Sequence, residues 1–160
     1  MKLFEDLKIG EHWVVGTHQF TADDIKGFAT RFDPQLFHVD EEAAKRSHFG
    51  ALCASGWHTA SVWMRLLIEH NRHEDEDLRS RGEKVAVFGP SPGFRELKWL
   101  QPVYVDDTIT YATEVVDLRP SNNRPEWGIM QIRNTGTNQR GEPVISFVST
   151  SFVERRRVAP

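Results

Sequence analysis

A single cysteine, Cys53, stands among 160 residues, so no intrachain disulfide can form, which fits a reducing compartment. Its neighbours Leu52 and Ala54 predict a buried, inert thiol, and nothing beside it would activate a thiolate. Long hydrophobic runs are missing too: no stretch approaches the ~18 residues needed to cross a bilayer. Met1 to Asp6 has no apolar signal core, so the expectation is a cytoplasmic protein without a membrane partner. Nor is there an excess of positive charge. Twenty Lys and Arg against 23 Asp and Glu give a net charge of −3, whereas a nucleic-acid surface needs basic residues clustered on one face. Arg155-Arg156-Arg157 is too short to supply one and reads as a solvated strand end. Repeats, linkers and low-complexity segments are absent as well. Residues 1–160 are therefore expected to form one domain, of a size that buries roughly 70% of the surface its unfolded chain exposes.

The first half of the chain carries helix signals and the second half strand signals. His12 to Phe20 reads as a short extended segment. Thr21 is an N-cap with Asp24 three residues on, and Ile25, Phe28 and Ala29 supply one apolar face, predicting a helix over 22–31. Pro34 stops it by pushing Asp33 out of the α region. Asp40 can cap a further turn, Glu41 to Arg46, whose early acids and late bases suit the helix dipole. Ser55 and Gly56 precede the strongest helical periodicity, Trp57 to His70, with Ala60, Trp63, Met64, Leu67 and Ile68 at three- and four-residue spacing. Asn71 to Asp77 is expected to be an exposed charged loop. Strands are predicted at Val85–Phe88, Phe94–Leu100, Thr108–Leu118, Trp127–Thr137 and Val144–Arg155, with Asn138-Gln139-Arg140-Gly141 turning between the last two. The pattern gives an α+β fold: a sheet of about five strands with one long helix against it.

Two side chains stand out chemically. Asp33 and His38 are expected on one loop held between helices, a common setting for acid–base residues. Phe32, Phe37 and Trp57 could wall the carboxylate off from water, which would favour its use as a base. Gly56 opens the long helix, where a free backbone N–H and the helix dipole favour developing negative charge. On chemistry alone, an Asp before Pro is usually a turn or cap residue and a lone His on a loop is usually structural or solvated. Ser55 reads as a cap, since no Gly-x-Ser-x-Gly elbow surrounds it. His38, His48 and His58 recur every ten residues, which is not the spacing of a zinc site, so no metal is expected.

The blocks F-A-T-R-F-D-P-Q-L-F-H-V-D, F-G-A-L-C-A-S-G-W-H-T, P-S-P-G-F-R-E-L-K-W-L-Q-P-V and N-Q-R-G-E-P-V, in this order, span nearly the whole chain. They resemble the MaoC-like acyl dehydratases, the (R)-specific enoyl-CoA hydratase group of the hot-dog fold. The resemblance implies a curved antiparallel sheet wrapped around the helix Trp57 to His70, with two subunits pairing around the substrate sites. It implies a catalytic pair Asp33 and His38, with the Gly56 N–H stabilising the oxyanion. The reaction implied is reversible addition of water to a 2-enoyl-CoA, without cofactor, coenzyme A being part of the substrate. Phe37, Ser55, Trp57, Trp63, Arg95, Lys98 and Arg124 are the substrate-binding candidates, the three cations for the phosphates of coenzyme A. Which of Asp33 and His38 is base and which acid stays open. A hot-dog thioesterase is the second reading, disfavoured because Glu69 is the one acid between Trp57 and His70. Gln35 and Leu36 depart from the family's hydratases and keep open a third, a non-catalytic acyl-binding protein.

Overall fold

Local sequence fixes each helix start. The computed structural model describes residues 1–156. After a single 3-10 turn at Phe4–Asp6 and strand β1 (His12–Gln19), helix α1 runs over Ala22–Phe32. The Thr21 hydroxyl accepts from the Asp24 N–H at 3.1 Å, and Ile25 and Ala29 are fully buried. Asp33, before Pro34, leaves the helix with φ −155° and ψ 67°. A one-turn helix, α2 (Leu36–Val39), follows, so His38 is helical and not on a loop. The Asp40 carboxylate then caps α3 (Glu41–Lys45) by accepting from the Ala43 N–H at 2.8 Å.

The long helix α4 spans Gly56–Ser80, ten residues beyond the expected end. The charged stretch 71–77 is helical, and its acids find basic partners one turn further on. Arg79 stands 3.9 Å from Asp75 and Arg81 2.8 Å from Asp77, each four residues apart, and such pairs support a helix. Leu78, 4% exposed, buries the far end.

The other strands are β2 (Gly93–Trp99), β3 (Thr108–Pro120), β4 (Trp127–Thr137) and β5 (Pro143–Glu154). All pairings are antiparallel, in the order β1-β3-β4-β5-β2. The expected number of strands is right, but its membership changes. His12–Gln19 joins as an edge strand, whereas Val85–Phe88 makes only an isolated bridge from Phe88 to Val153. Pro90 and Pro92, which lack an N–H, prevent that segment from extending into a ladder. The turn 138–141 is as expected, closed by Gly141 N–H donating to the Asn138 carbonyl at 3.0 Å. Arg155 and Arg156 are not simply solvated: they pair with Glu5 at 3.0 Å and Asp6 at 2.8 Å. Arg157 lies outside the described residues.

One face of the sheet packs on the first half of α4. Val62, Trp63 and Leu66 interdigitate there with Ile109, Tyr111, Ile145 and Phe147 in one buried cluster. Tyr111, fully buried, donates its hydroxyl to the Thr59 carbonyl of α4 at 3.0 Å. At Gly16 a bulge in β1 brings the backbone against Leu66: the residue has φ +148°, and a Cβ would stand 3.0 Å from a Leu66 methyl. A side chain there would hold β1 away from the helix.

His58 shows what this packing does to a titratable group. Its ring stacks on Phe28 at 4.6 Å and meets the edge of Phe20 at 5.0 Å, and Nδ1 has no partner. Burial, aided by His18, pushes its pKa down to about 4. The unfolded ring titrates near 6.5, so between those pH values the unfolded chain binds a proton that the folded chain refuses. Stability must fall as pH drops through that window. Urea unfolding at pH 7 and pH 5 should show this loss in the native protein and a loss smaller by about 2 kcal/mol in His58→Phe; equal losses would refute the assignment.

Candidate active site

Three backbone anchors hold Asp33 and His38 together. The Asp33 N–H donates to the Ala29 carbonyl, the Gln35 N–H to the Asp33 carbonyl and the His38 N–H to the Gln35 carbonyl, each at 2.8 Å. Across from them, an antiparallel bridge pairs Cys53 with Tyr104, and the Ala54 N–H donates to the Val103 carbonyl at 2.8 Å. The Cys53 carbonyl is thereby held 2.7 Å from His38 Nδ1. A carbonyl can only accept, so in the neutral ring the hydrogen sits on Nδ1 and Nε2 keeps its lone pair. That Nε2 stands 3.5 Å from Asp33 Oδ2. The Cys53 thiol is 1% exposed and burial pushes its pKa up to about 11, so the residue serves the site through its carbonyl, not its sulfur.

Asp33 sits in a hydrogen-bonded setting and not behind an apolar wall. Burial pushes its carboxyl up, but hydrogen bonds from Ser55 and Gln35 and the nearby His38 outweigh it and hold the group below its ordinary 3.8. The Gln35 amide donates to Oδ1 at 2.8 Å. Phe32, expected to shield the carboxylate, is 70% exposed and packs on Phe28. Ser55 caps α4 by accepting from the Trp57 N–H at 3.2 Å, so one hydroxyl links the helix start to the carboxylate. The Gly56 N–H has no protein acceptor among the described residues.

Asp33, His38, Gly56, Phe37, Ser55 and Trp57 all line one cavity of about 370 Å³. Trp63 lies deeper: it is buried edge-on against Phe147 at 4.6 Å and lines an adjoining apolar cavity of about 200 Å³, which shares Trp57 with the first. The three cations stand elsewhere. Arg95 lies on the outer face of β2 and donates to Gln131 at 3.0 Å; Lys98 is exposed on the same face. Arg124, in the β3–β4 connection, lines a separate cavity with Arg119. Lone cations in a sequence carry no directional signal, so their placement was open to this outcome. Gln35, noted in the sequence only as a departure from the family's hydratases, and Trp99, which the sequence did not mark, line the same cavity as Asp33 and His38. His38, His48 and His58 serve separate surroundings, and among the described residues no group of three or more His, Cys, Asp or Glu could hold a metal ion.

The sequence profile of the MaoC-like domain matches residues 8–133, and the chain belongs to that family. It has the family's hot-dog fold: the crystal structure of the MaoC-like dehydratase from Rhodospirillum rubrum superposes with a TM-score of 0.81 at 36% identity, covering 99% of this chain and 100% of that one. The uncharacterized protein YdeM of Bacillus subtilis (strain 168) is 31% identical over 97% of this chain and all of its own length. The mesaconyl-CoA hydratase of Cereibacter sphaeroides is 36% identical over 67 residues, 42% of this chain but 19% of the hydratase.

The lowered Asp33 carboxyl fixes a sign. A depressed folded-state pKa contributes stability above the unfolded value and loses it as pH falls through the folded value. Unfolding measurements on the native protein and Asp33→Asn should therefore show a stability difference that shrinks as pH falls below about 4. A difference that stays unchanged down to about pH 2 would refute the lowered carboxyl.

Proposed function

We propose that the protein is an acyl-CoA hydratase and dehydratase that adds water reversibly to a 2-enoyl-CoA to give a 3-hydroxyacyl-CoA. The observation that carries this reading is the 3.5 Å approach of two hydrogen-bond acceptors, Asp33 Oδ2 and His38 Nε2, at the wall of a cavity that also holds the Gly56 amide. An ionised carboxylate and a neutral imidazole nitrogen cannot bond each other. A water between them gives one hydrogen to each, leaving its oxygen lone pairs aimed outward at a substrate.

Hydration then follows with atoms in balance. The water oxygen bonds to C3 of the enoyl thioester while Nε2 takes one of its protons. The second hydrogen stays on that oxygen, held by Asp33. Because Asp33 is kept ionised by its hydrogen bonds, the imidazole is the better base of the two and the carboxylate the orienting group. Charge develops on the thioester oxygen, where the Gly56 N–H at the start of α4 donates to it. The imidazolium returns its proton to C2. Dehydration runs the same steps backwards.

The site supports the thioesterase reading less well. Glu69 is exposed and paired with Arg65 at 2.9 Å, and the acids that α4 gains beyond His70 line none of the cavity. The likeness to a mesaconyl-CoA hydratase supports a coenzyme A thioester as substrate. We also infer a cytoplasmic homodimer formed by one domain per chain. Trp57, Met64 and Ile68 form an exposed apolar stripe along α4, beside the unpaired edge of β2 with its exposed Phe94, a surface whose burial a second copy would satisfy.

Purified protein offered crotonyl-CoA should consume the enoyl absorbance, and Asp33→Asn and His38→Ala should each lower kcat by ~10²–10⁴. Equal rates in all three would reject the pair; release of free thiol would establish the thioesterase, and binding without turnover the acyl-binding protein.

A further inference from the structure

One strand carries a backbone irregularity beside the site. In β2, Arg95 pairs with Val148 and Lys98 with Ser146, so three steps on one strand match two on its neighbour. The extra residue is a β-bulge, and Glu96 within it has φ +58°, the left-handed region that a side chain disfavours. Such strain persists only where its surroundings enforce it.

The bulge reverses which side of the sheet the following residues occupy. Phe94 pairs with Ser149 and Trp99 with Ile145, and Ile145 packs toward α4. Strict alternation from Phe94 would turn Trp99 to the outer face, because side chains repeat with a period of two. With Glu96 inserted, Trp99 faces inward and covers the start of α4. Its Nε1, Cε2 and Cδ1 atoms all come within 3.0 Å of where a Cβ on Gly56 would stand, at nearly equal distances. The five-membered ring of the indole therefore fills the space that a side chain on Gly56 would take. The ring also meets Trp57 edge-on at 5.3 Å and lines the cavity that holds Asp33 and His38.

We propose that Trp99, aimed by the Glu96 bulge, is a positioning residue that closes one side of the Gly56 amide, so that a thioester oxygen reaches that N–H from a single direction and without competing water. The proposal rests on the hydratase reading for the reaction but not for the contact. With its carbonyl on Gly56, an enoyl thioester has C1, C2 and sulfur as the atoms nearest the indole. The ring therefore fixes the reacting carbons against Asp33 and His38 more than it holds the distant parts of the substrate. Its loss should appear in kcat.

Five variants test this: Trp99→Ala, Trp99→Phe, Gly56→Ala with and without Trp99→Ala, and deletion of Glu96. With crotonyl-CoA, Trp99→Ala should lose at least tenfold in kcat with KM changed less than threefold, and Trp99→Phe should recover most of the loss. Deletion of Glu96, if folded, should match Trp99→Ala because it turns the indole outward. Gly56→Ala should lower the thermal midpoint in the native background and lower it much less alongside Trp99→Ala, where the space is free. A kcat for Trp99→Ala within threefold of native, or thermal effects that simply add, overturns the proposal. Should the native protein leave crotonyl-CoA unchanged, only the hydratase reading falls. The thermal cycle of Gly56→Ala and Trp99→Ala then decides: non-additive midpoints support the contact, and additive ones overturn it.

Discussion

A hydrogen bond of 2.7 Å between His38 Nδ1 and the Cys53 carbonyl joins the two halves of the site. One half is the turn that Pro34 creates at the end of α1; the other is the short segment that leads into α4. Because a carbonyl accepts and never donates, this contact decides where the hydrogen of the neutral ring sits and leaves the Nε2 lone pair facing Asp33. It also sets the ring plane. The cysteine side chain is incidental to it, and the backbone bridge from Cys53 to Tyr104 is what holds the carbonyl in place.

The carboxylate and the imidazole are tuned by different means. Asp33 receives hydrogen bonds from Ser55 and Gln35, which favour its charged form over the opposing effect of burial. In the mechanism proposed above, Asp33 is thereby the orienting anion and the proton passes through the ring. Ser55 connects this tuning to the fold, since the same hydroxyl caps α4. A change at the helix start would therefore reach the carboxylate and the Gly56 amide together.

Much of this was legible in the sequence, for identifiable reasons. Thr21, Asp40 and Ser55 are caps whose chemistry acts over two or three residues, so short-range reading located the helix starts. Asp33, His38 and Gly56 were legible because proline and the onset of helical periodicity bracket them. The end of α4 was not, because residues 71–77 look like a solvated loop until their i,i+4 ion pairs and the burial of Leu78 are seen. The reach of Trp99 was hidden more deeply. It depends on a bulge at a glutamate, where no glycine marks the positive φ, and one inserted residue exchanges the two faces of a strand. The cations failed for a related reason: Arg95 and Lys98 share the outer face that the same bulge defines, and Arg124 belongs to a remote connection.

The Tyr111 hydroxyl, anchored on the Thr59 carbonyl from the inner face of β3, works as a peg between sheet and helix. It is fully buried in the cluster that includes Val62 and Leu66. Sliding α4 along the sheet would strip that bond and unseat the ring at once. The scaffold is consequently rigid along the helix axis, and any change in the shape of the apolar cavity beside α4 must come from rotamer changes at Trp57, Met64 and Phe94 instead of from translation of the backbone.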